Sequence, residues 1–184
     1  LVSSGCSGTG WTCIDDINGS GISPTFTLTA GTAYYILLDP SNTTGGNVDF
    51  SIVCAPPIPT NDQCSGAISL TVNTTNNCIS STNGTTIGAI QSQAGCSGTA
   101  DDDVWYNFVA NNTIHTVTVS AITLNNIVFE VFRNSCGSLV SLGCVNSTTG
   151  FSPETTTITG LTIGSTYFIR IYSNGNGSGQ GTFT

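Results

Sequence analysis

Thr166-Tyr167-Phe168-Ile169-Arg170-Ile171-Tyr172-Ser173 is the stretch on which the fold turns. Tyr167, Ile169 and Ile171 recur at every second position, the period of a strand with one face in a core and the other in water. The pattern has an earlier echo. Gly31-Thr32-Ala33-Tyr34-Tyr35-Ile36 matches Gly164-Ser165-Thr166-Tyr167-Phe168-Ile169, and Tyr34, Ile36 and Leu38 share a face as their later counterparts do. Asp49-Phe50-Ser51 matches Thr182-Phe183-Thr184 at the same spacing of 133 residues. Ser23-Pro24 matches Ser152-Pro153, and Cys6 and Cys13 match Cys136 and Cys144. Self-similarity of this kind marks a modular array.

The other strands follow the same logic. Asp103-Val104-Trp105-Tyr106-Asn107-Phe108-Val109-Ala110 puts Val104, Tyr106, Phe108 and Ala110 on one face. Further strands are expected over Thr113 to Ala121, Ile127 to Arg133 and Thr155 to Ile163. Asn-Gly pairs at Asn18-Gly19, Asn83-Gly84, Asn174-Gly175 and Asn176-Gly177 punctuate them. No segment has a helical period. The expected fold is all-β: tandem jelly-roll-like antiparallel β-sandwich modules.

The repeat divides the chain. Residues 1–54 read as the C-terminal half of a first module, and residues 62–184 as a second module that lacks its last strand. Residues 55–61 between them contain Pro56, Pro57 and Pro59, which favour extended geometry and read as a semi-rigid spacer. The first copy closes with Ser51-Ile52-Val53-Cys54, a strand that the second copy does not show before Thr184. There is no methionine. An interior stretch of a longer chain is expected, or a subunit that borrows its last strand from a neighbouring copy.

Arg133 and Arg170 are the only strong cations in a chain of formal net charge −8. Nucleic-acid binding is excluded on that ground, and anionic membrane surfaces are disfavoured. No apolar run approaches the ~20 residues of a spanning helix, so membrane insertion is not expected. Thr, Ser, Asn and Gly supply the polarity.

The 8 cysteines contain no Cys-x-x-Cys pair and stand beside a single histidine, which argues against zinc and for disulfides in an oxidising compartment. Eight cysteines permit about 105 connectivities. The repeat makes Cys6–Cys13 and Cys136–Cys144 equivalent short-loop pairs, with Cys78–Cys96 as the natural third. Cys54 and Cys64 are then inter-module or inter-subunit cysteines. Cys64 is expected to bond one just beyond Thr184 and Cys54 one upstream of Leu1, with Cys54–Cys64 as the alternative.

Asn61-Asp62-Gln63-Cys64 with Ala67, Gly95-Cys96-Ser97-Gly98, the stretch from Asp102 to Ala110, and Gly160 to Tyr172 together resemble one known module type. It is similar to the pre-peptidase C-terminal-like (PPC-like) β-sandwich modules of secreted and surface proteins of Bacteroidota. The resemblance covers residues 62–184, and residues 1–54 as a half copy. It implies a non-catalytic accessory module, commonly carried by type IX secretion substrates, and an extracellular or cell-surface location.

Candidate chemistry is sparse. Asp101-Asp102-Asp103 is the one acidic cluster and is the expected place for calcium if any is bound, since calcium takes six to eight oxygens; otherwise it is a solvated loop. Asp15-Asp16 is weaker, and no cofactor is expected. His115 lacks a nucleophile and an orienting carboxylate in its pattern, and Glu130 and Glu154 read as structural or exposed. Trp105, Tyr106, Tyr167, Phe168 and Tyr172 could stack on sugar, though packing explains most of them. Arg170 is expected on polar surface beside Tyr172, with a cation–π contact. Asn42-Thr43-Thr44, Asn73-Thr74-Thr75 and Asn146-Ser147-Thr148 arise by chance in such a composition. The reading that follows is a non-enzymatic extracellular structural or adhesive protein, a stalk or filament segment whose partners are other copies of the module, assembled by β-strand complementation. The alternative is an accessory module that binds surface polysaccharide beside a secreted enzyme.

Overall fold

The computed structural model describes residues 26–38, 47, 49–75, 78–175 and 179–184. The chain divides into two compact units, Leu1–Ala55 and Pro56–Thr184. Cys6, Cys13 and Asp15-Asp16 lie outside the described residues.

In the first unit the described residues are half-buried or exposed. Their clearest feature is a turn in which Thr32 N–H donates to Thr29 O at 3.2 Å, Gly31 has φ 78°, and Thr29 N–H donates to the Tyr34 hydroxyl at 3.1 Å.

The second unit is built of strands. β1 (Ile68–Ser69), β3 (Val104–Val109), β8 (Thr166–Ser173), β5 (Ile127–Arg133) and β6 (Val140–Val145) form one sheet in the order β1-β3-β8-β5-β6. β1 runs parallel to β3, and the other pairs are antiparallel. β2 (Gly84–Thr85) pairs with β9 (Thr182–Phe183), and β4 (Ile114–Val119) pairs with β7 (Glu154–Thr159). Ser120 and Thr184 exchange N–H···O bonds of 2.7 and 2.9 Å beside the Ala121–Phe183 bridge. The two ribbons thus join into a second layer, β2-β9-β4-β7.

The core lies between the layers. Val104, Tyr106 and Phe108 of β3, Tyr167, Ile169 and Ile171 of β8, and Ile127, Phe129 and Val131 of β5 meet Val119 and Phe183 of the other sheet. This is the face that the alternation in the sequence picks out. β4 and β7 also show the expected half-exposed alternation. β5 does not: six of its seven residues are buried. The reason is the connection from β2 to β3. It folds across the outer face of the five-stranded sheet, so the central strands are covered on both sides and a period of two no longer separates core from water.

Among the described residues there are two disulfides, one of which holds that cover, and they differ from the pairs expected. Cys96 of the β2–β3 connection bonds Cys144 of β6, and Cys64 of the short 3₁₀ turn Cys64–Gly66 bonds Cys136 after β5. Cys136–Cys144 fails because β6, which sequence reasoning missed, intervenes. Extended residues advance about 3.3 Å each, so Cys144 is carried along the sheet to stand opposite Glu130 on the outer face. Cys96 is therefore not available to Cys78. Cys54 and Cys78 are free and exposed, and Cys64 has its partner within the unit.

Pro56 and Pro57 lie against Gly88, whose φ of 81° suits a glycine there and where a Cβ would meet their carbonyls. Asn61 O accepts Trp105 N–H at 2.8 Å while Asn61 Nδ2 donates to Trp105 O at 3.0 Å. The end of the proline-rich stretch is thus part of the second unit.

Candidate functional site

Two places in the second unit gather polar chemistry. The first is the covered outer face. Trp105, Arg170, Glu130 and Cys144 stand in one cross-strand row. Arg170 is fully buried rather than on polar surface as expected. Its Nη1 donates to Asp103 Oδ2 at 3.2 Å and Gln93 O at 3.0 Å. Its Nη2 donates to Glu130 Oε2 and Ala94 O, both at 2.9 Å. The guanidinium packs 5.1 Å from the Tyr172 ring centroid, the expected cation–π contact, and 5.7 and 5.8 Å from those of Trp105 and Phe132.

The three aspartates are separated by this arrangement. Asp103 takes Arg170 and also accepts from Ser92 N–H and its hydroxyl at 2.8 and 2.6 Å. Asp102 Oδ1 accepts Ser173 N–H at 2.9 Å. Asp101 stands on the turn before them. Burial pushes the Asp102 and Asp103 carboxyls above the usual carboxylate range, and for Asp103 the hydrogen bonds from Ser92 and the Arg170 charge pull back. A solvated loop is therefore not what the triplet forms. Asp102 and Asp103 are spent on fixing a strand and an arginine, and among the described residues no three of His, Cys, Asp and Glu are grouped as a metal ion would need.

The remaining candidates are also committed to structure. His115 is half-buried, Nε2 accepts Asn112 N–H at 3.3 Å, and the ring meets Phe108 edge-on at 5.6 Å. Glu154 Oε1 accepts from Ser147 N–H, Thr148 N–H and the Thr148 hydroxyl, holding the loop after β6. Trp105, Tyr106 and Tyr172 are buried and Phe168 half-buried, so these rings make no exposed platform.

The second place was not foreseen. A cleft of about 500 Å³ opens where the turn after β5 meets the β7–β8 loop, lined by Arg133, Asn134, Thr159, Thr162, Thr166 and Tyr167 among others. A smaller hollow of about 210 Å³ shares Leu142 and Thr159 with it and runs between β6 and β7. The turn is unusual: Asn134 has φ 76°, and its Nδ2 donates to Ser138 O at 3.2 Å. The β7–β8 loop repeats the geometry of the first unit. Ser165 N–H donates to Thr162 O at 3.1 Å, Gly164 has φ 84°, and Thr162 N–H donates to the Tyr167 hydroxyl at 2.9 Å. The signals in the sequence were Arg133, one of only two arginines, and Tyr167, a candidate sugar-stacking ring that is buried and reaches the cleft only as part of its wall.

Residues 60–184 match a family model described as galactose-binding-domain-like and associated with type IX secretion. The chain belongs to this family. The match names the galactose-binding-like type rather than the PPC-like one expected from the motifs, and it supports the expected association with type IX secretion. No curated protein and no solved structure is significantly similar to the chain. In this galactose-binding-like unit, the motif Asn61-Asp62-Gln63-Cys64 serves the fold. Asn61 pairs with Trp105, Asp62 Oδ1 accepts Ile90 N–H at 2.7 Å, and Cys64 is stapled to Cys136.

Proposed function

We propose that the chain is a stretch of a non-catalytic secreted or cell-surface protein in which stapled β-sandwich modules follow one another as an adhesive stalk. The observation that carries the modular part is the recurrence of one turn in both units: the same donor and acceptor positions, a glycine with positive φ, and a tyrosine hydroxyl accepting the same N–H, all 133 residues apart. A tyrosine closing its own turn is a local solution that two unrelated segments have no reason to share at matching spacing. Kinship with PPC-like modules belongs to this proposal, on the strength of the Asp102–Ala110 stretch. So does assembly by strand complementation. Thr116 and Thr118 have the parity of Ser120, so their N–H and C=O groups face the side on which Ser120 pairs with Thr184. The extracellular location is supported by the family's secretion association and by the two disulfides. Fractionation of the source cells tests this reading. The protein is expected oxidised in the surface or medium fraction; recovery from the cytosol with reduced thiols contradicts it.

The cleft favours a second role for the same module, saccharide binding. Its size lies within the ~300–1,000 Å³ of ordinary ligand sites. Its walls are hydroxyl-rich, and the adjoining hollow lengthens it in the way a chain of sugar rings requires.

A further inference from the structure

The whole chain has two strong side-chain cations and a formal net charge of −8. Arg170 is sealed under the β2–β3 connection and bonded to two carboxylates and two carbonyls. Arg133 is exposed, and among the described residues its side chain has neither an ion pair nor a hydrogen bond. The one arginine that a solute can reach therefore stands on the wall of the larger cleft. We propose that this cleft binds a saccharide carrying a carboxylate, a uronate unit within a polysaccharide, with Arg133 as the residue that selects the charge. The inference rests on the saccharide-binding reading above and adds its chemical class.

Four features support it. Arg133 ends β5 directly opposite Tyr167 of β8, so the stem of its side chain is carried by the sheet rather than by a loop. A guanidinium presents a planar fork that matches a carboxylate with two parallel hydrogen bonds. No aspartate or glutamate lines the cleft, so in a strongly acidic chain this is a place where an anion meets no carboxylate wall. The remaining groups suit a sugar ring: Thr159, Thr162 and Thr166 offer hydroxyls, and Leu142 offers apolar surface for C–H faces. Tyr167 Oη already accepts Thr162 N–H and keeps its own O–H to donate.

The test is calorimetric titration of the whole chain and of Arg133→Gln with three probes: oligogalacturonate, a neutral galactan oligosaccharide and a sulfated galactan. The wild type is expected to bind oligogalacturonate more tightly than the neutral probe. Arg133→Gln is expected to weaken the uronate about tenfold or more and to leave the neutral probe unchanged. The variant removes no hydrogen bond or ion pair, so its Tm should stay close to that of the wild type. A salt series on the wild type gives the same information without mutation, because only the uronate should weaken as salt rises. Equal uronate affinity in wild type and variant overturns the proposal, as does preference for the sulfated probe. Neutral binding with no gain for the uronate leaves saccharide binding standing and removes the charge class. No binding of any probe removes both.

Discussion

At the scale of single residues, the acids and the arginine of the outer face form one unit, and their behaviour follows from burial. Asp102 is fully buried, and burial raises its carboxyl above the usual range. A raised pKa in the folded state means that the native protein holds the proton to higher pH than the unfolded chain does. The contribution of Asp102 is then fully present below the ordinary carboxylate pKa of about 3.9 and is lost as pH rises through the folded value. Asp102→Asn keeps an acceptor for Ser173 N–H and cannot ionise. Its Tm should equal that of the wild type near pH 3 and exceed it by a margin that widens towards neutral pH. A constant difference across the range would sink this account. Arg170 supplies the opposite case. Arg170→Met leaves Glu130 and Asp103 buried without their cation, at a cost of about 3–5 kcal/mol. Adding Glu130→Gln should recover part of that loss in urea unfolding, and simple additivity would show that the charges do not act as a pair.

At the scale of elements, the strands with a clean period of two were legible. The strand expected over Thr166 to Ser173 is β8 as observed, and Ile127 to Arg133 is β5. β6 was not legible, because Val140–Val145 is an edge strand exposed over its first five residues, and only Val145 reaches the core. That omission led to the wrong cysteine pairs, since without β6 two cysteines eight positions apart look like a small loop. The cleft was hidden for a related reason. Its lining residues come from β5 and the turn after it, β6, β7, the β7–β8 loop and β8, and threonine is so common in this chain that no spacing singles them out. The turn that recurs in both units allows an element-level prediction. Tyr167→Phe removes the acceptor for Thr162 N–H and should cost about 1 kcal/mol. Hydrogen exchange should show Thr162 losing protection in that variant and Thr29 losing it in Tyr34→Phe. Protection of Thr162 alone would argue against a shared turn design.

At the scale of the whole molecule, the second unit has an ordinary sandwich core on one side of its five-stranded sheet and a second, polar layer on the other. The cover is attached by the Cys96–Cys144 bond and by hydrogen bonds from Arg170 to Gln93 O and Ala94 O. The loops closed by the two disulfides, with separations of 72 and 48 residues, correspond to about 4 kcal/mol each in the chain-entropy model. Such bonds suit the proposed secreted setting of a chain with only two side-chain cations. The galactose-binding-like family and the cleft fit a module that holds rather than cuts. The central claim is that the outer face is closed by the β2–β3 connection, which Cys96–Cys144 ties to β6, while Cys64–Cys136 ties the turn before β1 to the end of β5. Peptide mapping of the unreduced protein, alkylated before digestion, tests it most directly. The account predicts Cys64–Cys136 and Cys96–Cys144 linked, with label on Cys54 and Cys78; recovery of Cys136–Cys144 or Cys78–Cys96 would contradict it.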